Sequence, residues 1–218
     1  MMSSAYQQVE RQVERQLYRQ PHRQPHRQPH RWSRAEYERM ADAAVFEPDA
    51  RLELIDGEVL SMAPQSTQHF TAIRLAERAL AAVFRDGFDV RSQGPLAIDG
   101  QSEPEPDIAV VEGCARDYAA AHPRTAVLIV EMADSSLGFD RITKKRLYAR
   151  NGIAEYWILD LNAQALEVYR DPAGDDFLSK QTIDRKGDRK GDRNGDRNGA
   201  IAPLAAPTSV VRVVDFLP

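Results

Sequence analysis

The sequence predicts an α+β protein in which a mixed β-sheet is flanked by a few helices. Three observations predict that class. Helical hydrophobic periodicity is confined to a few segments, short apolar runs typical of strands fill most of the remaining chain, and one Asp-Gly pair predicts an antiparallel hairpin. With 218 residues, the chain is long enough for one domain with a stable core and flanking tails.

Two repetitive stretches mark the limits of that domain. Residues 1–31 end in three copies of Gln-Pro-His-Arg, and residues 184–199 consist of four Asp-Arg-Lys-Gly or Asp-Arg-Asn-Gly units. Four-residue units without apolar side chains cannot bury a core. We therefore predict a disordered tail at 1–31 and a domain at 32–218 that contains a repetitive loop insertion at 184–199.

The first half of the domain should contain a helix, a hairpin and a longer helix, at 34–44, 52–62 and 66–85. Ser33 is a typical N-cap for the first helix. Asp56-Gly57 favours a two-residue type I′ turn, which predicts the hairpin. The apolar spacing of the longer helix predicts a buried stripe that runs from Phe70 to Phe84.

The second half should consist mainly of strands around one further helix. We predict that helix at 140–150 and strands at 88–91, 96–98, 106–111, 126–132, 156–160, 165–169, 177–183 and 210–216. Asn151-Gly152 is a typical end for the helix. The last two strands should form a hairpin with the repetitive loop at its tip.

Two of the predicted strands carry acids at positions where a buried strand should have none. Asp107 lies in the run Glu105 to Val111, and Glu131 lies in the run Leu128 to Met132. An unpaired buried carboxylate is costly, so it must be neutralised, paired or bound to a cation. For either acid taken alone, a structural ion pair is the favoured interpretation. Together, and followed by a basic segment, they predict a metal site that hydrolyses phosphate esters.

The expected ligands are oxygen atoms, which favour Mg²⁺ as the cofactor and allow Mn²⁺ as an alternative. Asp107 and Glu131 would supply two carboxylates, and the Met132 carbonyl would supply a third oxygen. Glu58 is the candidate third acid because it lies on an otherwise apolar face of the predicted hairpin. Glu53 lies on the same face and is the competing choice.

Lys144 is the candidate catalytic lysine, which would orient the attacking water and offset phosphate charge. It shares a helix face with Leu147 and Tyr148, its i+3 and i+4 neighbours, and that face should pack on the sheet. Lys145 lies about 100° away around the helix and is expected to be solvated. His69 borders the buried stripe of its own helix, where a packing role is favoured over contact with substrate.

The basic side chains of the predicted 140–150 helix allow two interpretations. Arg141, Lys145, Arg146 and Arg150 are either a patch that contacts phosphates or a solvated basic helix end.

The motifs of the chain and their order along the sequence resemble those of the Uma-type restriction endonucleases of the PD-(D/E)xK nuclease superfamily. The resemblance is carried by Arg51 to Glu58, His69, Glu105-Pro106-Asp107, Val130-Glu131, and Lys144 with the segment Leu147 to Asp160. It implies a restriction-endonuclease-like core with a magnesium-dependent nuclease site. Asp107 matches the Asp of the motif and Glu131 its second acid. The superfamily motif would place lysine at 133, which is Ala133 here, and the family instead takes its lysine from the following helix, which Lys144 matches.

Charge and cysteine content exclude several protein classes. The formal net charge is −4, and residues 1–31 hold six Arg and two Glu, which leaves −8 for the rest of the chain. The protein is therefore not a generally basic nucleic-acid coat, and any polyanion must bind a local basic patch. Cys114 is the only cysteine, which excludes internal disulfides and cysteine-based zinc clusters and favours a cytoplasmic location. No apolar run approaches the roughly 20 residues of a membrane span, so no membrane partner is expected.

The sequence therefore predicts a cytoplasmic, metal-dependent endonuclease that hydrolyses DNA phosphodiester bonds. A homodimer would suit double-strand cleavage, because one site cuts one strand. The main alternative is a binding or scaffold protein that retains a nuclease fold with weak or no catalytic activity. A hydrolase directed at RNA or nucleotides would share the same centre, and no separate DNA-reading module identifies a target sequence.

Overall fold

A computed structural model of the protein describes residues 28–185 and 199–218. In chain order, the strands are β1 (Leu52–Ile55), β2 (Glu58–Ser61), β3 (Phe88–Ser92), β4 (Ile108–Glu112), β5 (Leu128–Ala133), β6 (Glu155–Asp160), β7 (Ala165–Ala173), β8 (Asp176–Asp184), β9 (Ala200–Ile201) and β10 (Val211–Arg212). The α-helices are α1 (Arg34–Asp42), α2 (Thr67–Val83), α3 (Leu137–Phe139) and α4 (Lys145–Arg150). A π-helical turn, Asp140–Lys144, joins α3 to α4, and 3-10 turns lie at Ala115–Tyr118 and Val213–Asp215.

Six strands form one mixed sheet in the order β3-β4-β5-β6-β7-β8. Only β5 and β6 are parallel, because the helical segment from α3 to α4 carries the chain back across the sheet between them. The other neighbours are antiparallel and are joined directly or by loops. The predicted α+β class, with a mixed sheet flanked by helices, is confirmed.

Both faces of the sheet are covered, which explains why its strands are apolar on both sides. One face packs against α2 through the helix residues Ala72, Ile73, Ala76 and Leu80. The other face packs against α4 and the loop around Leu96. The prediction that Phe70 belongs to the buried stripe is wrong, since Phe70 is 53% exposed. His69 lies near the centre of the packed face, and Phe70, the next residue, lies about 100° farther around the helix.

The hairpin β1–β2 has the predicted type I′ turn. Ile55 pairs with Glu58, and the φ angles of Asp56 and Gly57 are +52° and +77°. The hairpin is held to the rest of the domain by Leu54, whose backbone exchanges two hydrogen bonds with that of Glu103, at 3.2 and 2.7 Å. This connection fixes the position of the neighbouring Glu53.

Two strand predictions are corrected by the pairing. Residues 96–98 are buried but do not form a strand. The predicted hairpin between 177–183 and 210–216 does not form, because β8 pairs with β7 across a tight turn and β10 pairs with β9.

The described part of 31–218 belongs to one compact unit. The tail predicted at 1–31 and the repetitive loop predicted at 184–199 fall almost entirely outside the described residues. Within the described ranges, no helix has the length and apolar character required to cross a bilayer.

Candidate active site

A pocket of about 180 Å³ lies between the sheet, the start of α2, the β1–β2 hairpin and the π-helical turn. The cationic groups in its lining are Lys144, Arg51 and, when protonated, His69. Its lining carboxyl groups are those of Glu53, Glu105, Asp107, Glu131, Asp134 and Asp140. This excess of acids over cations makes the pocket strongly attractive to a metal ion or to another cation.

Asp107 and Glu131 are brought together by the antiparallel register of β4 and β5. Ile108 pairs with Val130. Asp107, which precedes Ile108, therefore lies opposite Glu131, which follows Val130. The Asp107 backbone N–H donates to Glu131 Oε2 at 3.3 Å, and the Met132 N–H donates to Asp107 Oδ2 at 2.8 Å. Both acids are almost fully buried, with 7% and 3% exposure. The structure therefore places the two predicted acids in direct contact at one edge of the pocket.

Lys144 reaches the same carboxylate from the π-helical turn. Its Nζ lies 3.0 Å from Glu131 Oε1 and 3.4 Å from Glu53 Oε2. Burial lowers the pKa of Lys144, but the surrounding acids outweigh that effect and raise the pKa above its ordinary value. Lys144 is therefore an ammonium group throughout the physiological pH range. The Lys145 amine instead pairs with Asp176 at 2.7 Å.

Glu131 is the most heavily hydrogen-bonded acid of the pocket. Besides Lys144 and the Asp107 N–H, it accepts a 2.9 Å hydrogen bond from the hydroxyl of Tyr148, which is fully buried. Burial raises the pKa of Glu131 above its ordinary value; Lys144 opposes that rise and Asp107 adds to it. The sequence predicts only a packing role for Tyr148, although its i+4 spacing from Lys144 places both on one face.

The third acid of the cluster is Glu53, and the expectation for Glu58 is corrected. Glu58 is exposed beside the turn and pairs with Arg31 at 2.9 Å. Glu53 is 5% exposed, contacts Lys144 and accepts a 3.3 Å hydrogen bond from the Glu105 N–H. Both acids lie on one face of the hairpin. Glu58 lies beside the turn, whereas Glu53 lies nearer the other end of the hairpin, and that end reaches the pocket.

His69 contacts Asp107 through its Nε2, which lies 3.1 Å from Asp107 Oδ1. Burial lowers the pKa of His69, but the hydrogen bond and charge of Asp107 together with the charges of Asp134 and Asp140 outweigh that effect, so the net shift is upward. His69 therefore orients the Asp107 carboxylate and lines the pocket at the same time. Packing and contact with the site are thus both properties of this side chain.

Asp140 is an acid of the pocket that sequence reasoning did not single out. It is 2% exposed and accepts a 2.6 Å hydrogen bond from the Ser136 hydroxyl. Burial raises the pKa of Asp140, an effect opposed by Lys144 and by that hydrogen bond. Its i−4 spacing from Lys144 could have identified it as a residue of the same helix face.

The basic residues of the helical segment do not form a free phosphate-binding patch. Each one has an acidic partner: Arg141 pairs with Glu167, Lys145 with Asp176, Arg146 with Asp175, and Arg150 with Asp56 and Asp99. Arg51 differs, because no acid within the described residues lies at salt-bridge distance from it. It lines the pocket itself. Burial raises the pKa of Glu105, and the charge of Arg51 opposes part of that rise.

The acids do not already form a preassembled metal cage. Within residues 28–185 and 199–218, no group of three or more histidine, cysteine, aspartate or glutamate side chains is spaced to hold a metal ion as it stands. The donor chemistry nevertheless fits a hard cation, because Asp107, Glu131 and Glu53 supply carboxylate oxygens in one pocket. Their oxygens already accept hydrogen bonds from Lys144, His69 and backbone N–H groups, so a metal ion would have to share these oxygens or displace some of the donors.

Comparisons with known proteins show what the chain is similar to. The model of the Uma2 family, described as "Putative restriction endonuclease", matches residues 34–191, a range that includes all the acids of the pocket and Lys144. A solved structure, that of "a putative nuclease belonging to DUF820" from Anabaena variabilis ATCC 29413, is similar with a TM-score of 0.63 and 15% identity. The match covers 84% of this chain and 95% of that one, and it demonstrates a shared fold. A comparison with curated proteins finds no significant match.

Proposed function

The chain belongs to the Uma2 family, and from that premise we propose that it is a metal-dependent endonuclease that hydrolyses DNA phosphodiester bonds. Membership of a nuclease family implies a nucleic-acid substrate. The choice of DNA and the requirement for Mg²⁺, or Mn²⁺ in its place, belong to the proposal. The convergence of Asp107, Glu131 and the Lys144 amine at one pocket is the observation that carries it.

Asp107 and Glu131 are the proposed metal ligands, with Glu53 rather than Glu58 as the third acid. A bound Mg²⁺ would supply neutralisation of the charge that develops on the phosphate. The pocket already concentrates carboxylate oxygens, and the mutual repulsion of these acids gives them a reason to bind a cation. His69 would keep Asp107 in place during ligation.

Lys144 is proposed to act on the attacking water and on the phosphate. Its ammonium group is a donor of hydrogen bonds and cannot serve as a base, because its pKa is raised by the surrounding acids. It would therefore orient the water and offset phosphate charge, while Glu131 and Glu53 hold it at the edge of the pocket.

Cleavage of supercoiled plasmid DNA tests the proposal. Wild-type protein should nick or linearise the plasmid with Mg²⁺ or Mn²⁺ and lose that activity in EDTA. Asp107→Ala should reduce the rate by at least about a hundredfold. Glu112→Ala is the matched control, since Glu112 is an exposed acid at the other end of β4. Activity that survives in Asp107→Ala would refute the assignment of the site. Wild-type protein that binds DNA without cleaving it would favour the scaffold alternative.

A homodimer is part of the proposal for double-strand cleavage, because one site cuts one strand. A dimer should produce linear plasmid without prior accumulation of nicked circles, and its mass should be measured by light scattering. A monomer that only nicks would remove the dimer from the proposal and leave the chemistry intact.

A further inference from the structure

A second concave region, which we call the α1 groove, adjoins the active-site pocket. Its volume is about 330 Å³, at the small end of the range for ligand sites. Its main lining residues are Tyr37, Phe46, Glu47, Pro48, Leu52 and Glu105. The groove is therefore mainly aromatic and aliphatic, with two carboxylates as its charged groups.

The α1 groove and the active-site pocket share one thin wall. Glu105 lines both. Along the extended segment that leads into β1, Arg51 and Glu53 line the pocket, while Ala50 and Leu52 line the groove. Side chains alternate between the two sides of an extended chain, so a single backbone thickness separates the two cavities. A ligand that spans this wall would place its ends in two different chemical environments.

The groove contains two aromatic rings, the kind of side chain on which a flat ligand stacks. The ring centroids of Tyr37 and Phe46 are 5.6 Å apart with a 41° tilt, and both rings are half-buried. The Tyr37 hydroxyl donates a 3.1 Å hydrogen bond to the Leu52 carbonyl, which fixes that ring. The carboxylates of Glu47 and Glu105 can accept hydrogen bonds from amino groups at the edge of a planar ring.

The other side of the wall offers the complementary charge. Arg51 faces the active-site pocket with no acid at salt-bridge distance among the described residues, whereas the basic residues of α4 and the π-helical turn are all paired with acids. An arginine with free donors is suited to phosphate. A phosphate on one side and a flat, amine-bearing ring on the other are the two ends of a nucleotide.

From this arrangement we propose that the protein binds an unpaired nucleotide of its DNA substrate across this wall, with the base in the α1 groove and its phosphate at Arg51. The inference rests on the proposed nuclease function and narrows its substrate. Bases within a duplex are stacked on their neighbours, so only single-stranded, mismatched or extruded bases can enter the groove. Single-stranded or locally unpaired DNA is therefore the preferred substrate.

The equilibrium binding of labelled oligodeoxynucleotides tests this inference. Binding is measured by fluorescence anisotropy in the presence of Ca²⁺, and gels verify that the DNA stays intact. Wild-type protein should bind a single strand at least about fivefold more tightly than the matching duplex. Phe46→Ala should weaken single-strand binding by about five- to a hundredfold, the range expected for one lost stacking contact. Val45→Ala is the matched control, because Val45 is 63% exposed next to Phe46 and does not line the groove.

An abasic oligonucleotide of the same length makes the test independent of mutant folding. Wild-type protein should bind it more weakly than the intact strand, and Phe46→Ala should not distinguish the two. Equal affinity of wild-type protein for intact and abasic strands, or no binding to any DNA, would overturn the inference. If plasmid cleavage persists in that case, the proposed nuclease function stands without the groove. Base-dependent binding without metal-dependent cleavage would leave the groove assigned and remove the nuclease function.

Discussion

The Lys144 amine lies 3.0 Å from the Glu131 carboxylate, although these residues belong to a helical turn and a strand rather than to one acid-x-lysine strand. Position 133, where the superfamily motif places lysine, is the fully buried Ala133. Its small side chain shares a core cluster with Leu147 and Tyr148, the residues that follow Lys144 along α4. Alanine at 133 therefore leaves room for α4 to pack on the sheet, and this packing lets Lys144 approach Glu131 from above the strand.

Replacement of the two adjacent lysines should separate the site from the helix surface. Lys144→Ala removes the amine that contacts Glu131 and Glu53, and we expect plasmid cleavage to fall by at least about a hundredfold. Lys145→Ala removes a partly exposed pair with Asp176, which is worth about 0–1 kcal/mol, and a cation–π contact with the Tyr169 ring. Neither contact involves a residue of the pocket, so the cleavage rate should stay within about twofold of wild type. Equal losses in both variants would contradict the assignment of Lys144.

The two hairpin acids provide a second matched comparison. Glu53→Gln removes a buried carboxylate beside Lys144, so metal-dependent cleavage should fall and the Mg²⁺ concentration for half-maximal rate should rise by about ten- to a hundredfold. Glu58→Gln affects an exposed residue that pairs with Arg31 and should leave both quantities unchanged. The metal titration curve of each variant gives the answer. If only Glu58→Gln shifts the Mg²⁺ titration curve, Glu58 rather than Glu53 is the third acid.

Local chemistry made much of the fold predictable. The Asp56-Gly57 turn identified the hairpin, and the apolar runs around Asp107 and Glu131 identified two central strands. These features depend on neighbouring residues and on the alternation of side chains, which a sequence displays directly. The prediction of a hairpin between 177–183 and 210–216 was wrong because β8 could pair with more than one strand, and only tertiary packing selects β7.

The unpredicted parts of the site depend on contacts between distant segments. The choice between Glu53 and Glu58 follows from the Leu54–Glu103 backbone pairing, which decides which end of the hairpin reaches the pocket. Asp140 lies four residues before Lys144, but its burial in the pocket depends on how the π-helical turn packs, which the sequence does not display.

Tyr148 should act as a positioning residue for Glu131. Tyr148→Phe removes one of the hydrogen bonds to a buried carboxylate, so we expect unfolding free energy to fall by about 1–2 kcal/mol and cleavage to fall by about tenfold. Urea unfolding and a cleavage assay over a range of Mg²⁺ concentrations distinguish the two effects. A purely structural role would lower stability without altering the metal dependence of the rate in the folded protein, and that outcome would contradict the positioning role.

Acid stability should depend on Glu167, which lies outside the pocket on β7. Its carboxylate accepts hydrogen bonds from Arg141 at 2.8 Å, the Tyr169 hydroxyl at 2.6 Å and Lys180 at 2.9 Å. Burial alone would raise the pKa of Glu167, but these donors lower it to about 2 from an ordinary value of 4.5.

Because the pKa of Glu167 is lower in the folded protein than in the unfolded chain, its ionised form stabilises the fold above about pH 5. That contribution is lost as the pH falls towards 2. We expect about 2 kcal/mol at neutral pH, since Arg141 and Lys180 are partly exposed and screened. In urea unfolding, Glu167→Gln should be less stable than wild type at pH 7, and the difference should shrink between pH 5 and 2. Glu112→Gln, at an exposed position, should follow wild type at every pH. A difference between wild type and Glu167→Gln that stays constant from pH 7 to pH 2 would show that the ionised carboxylate is not its cause.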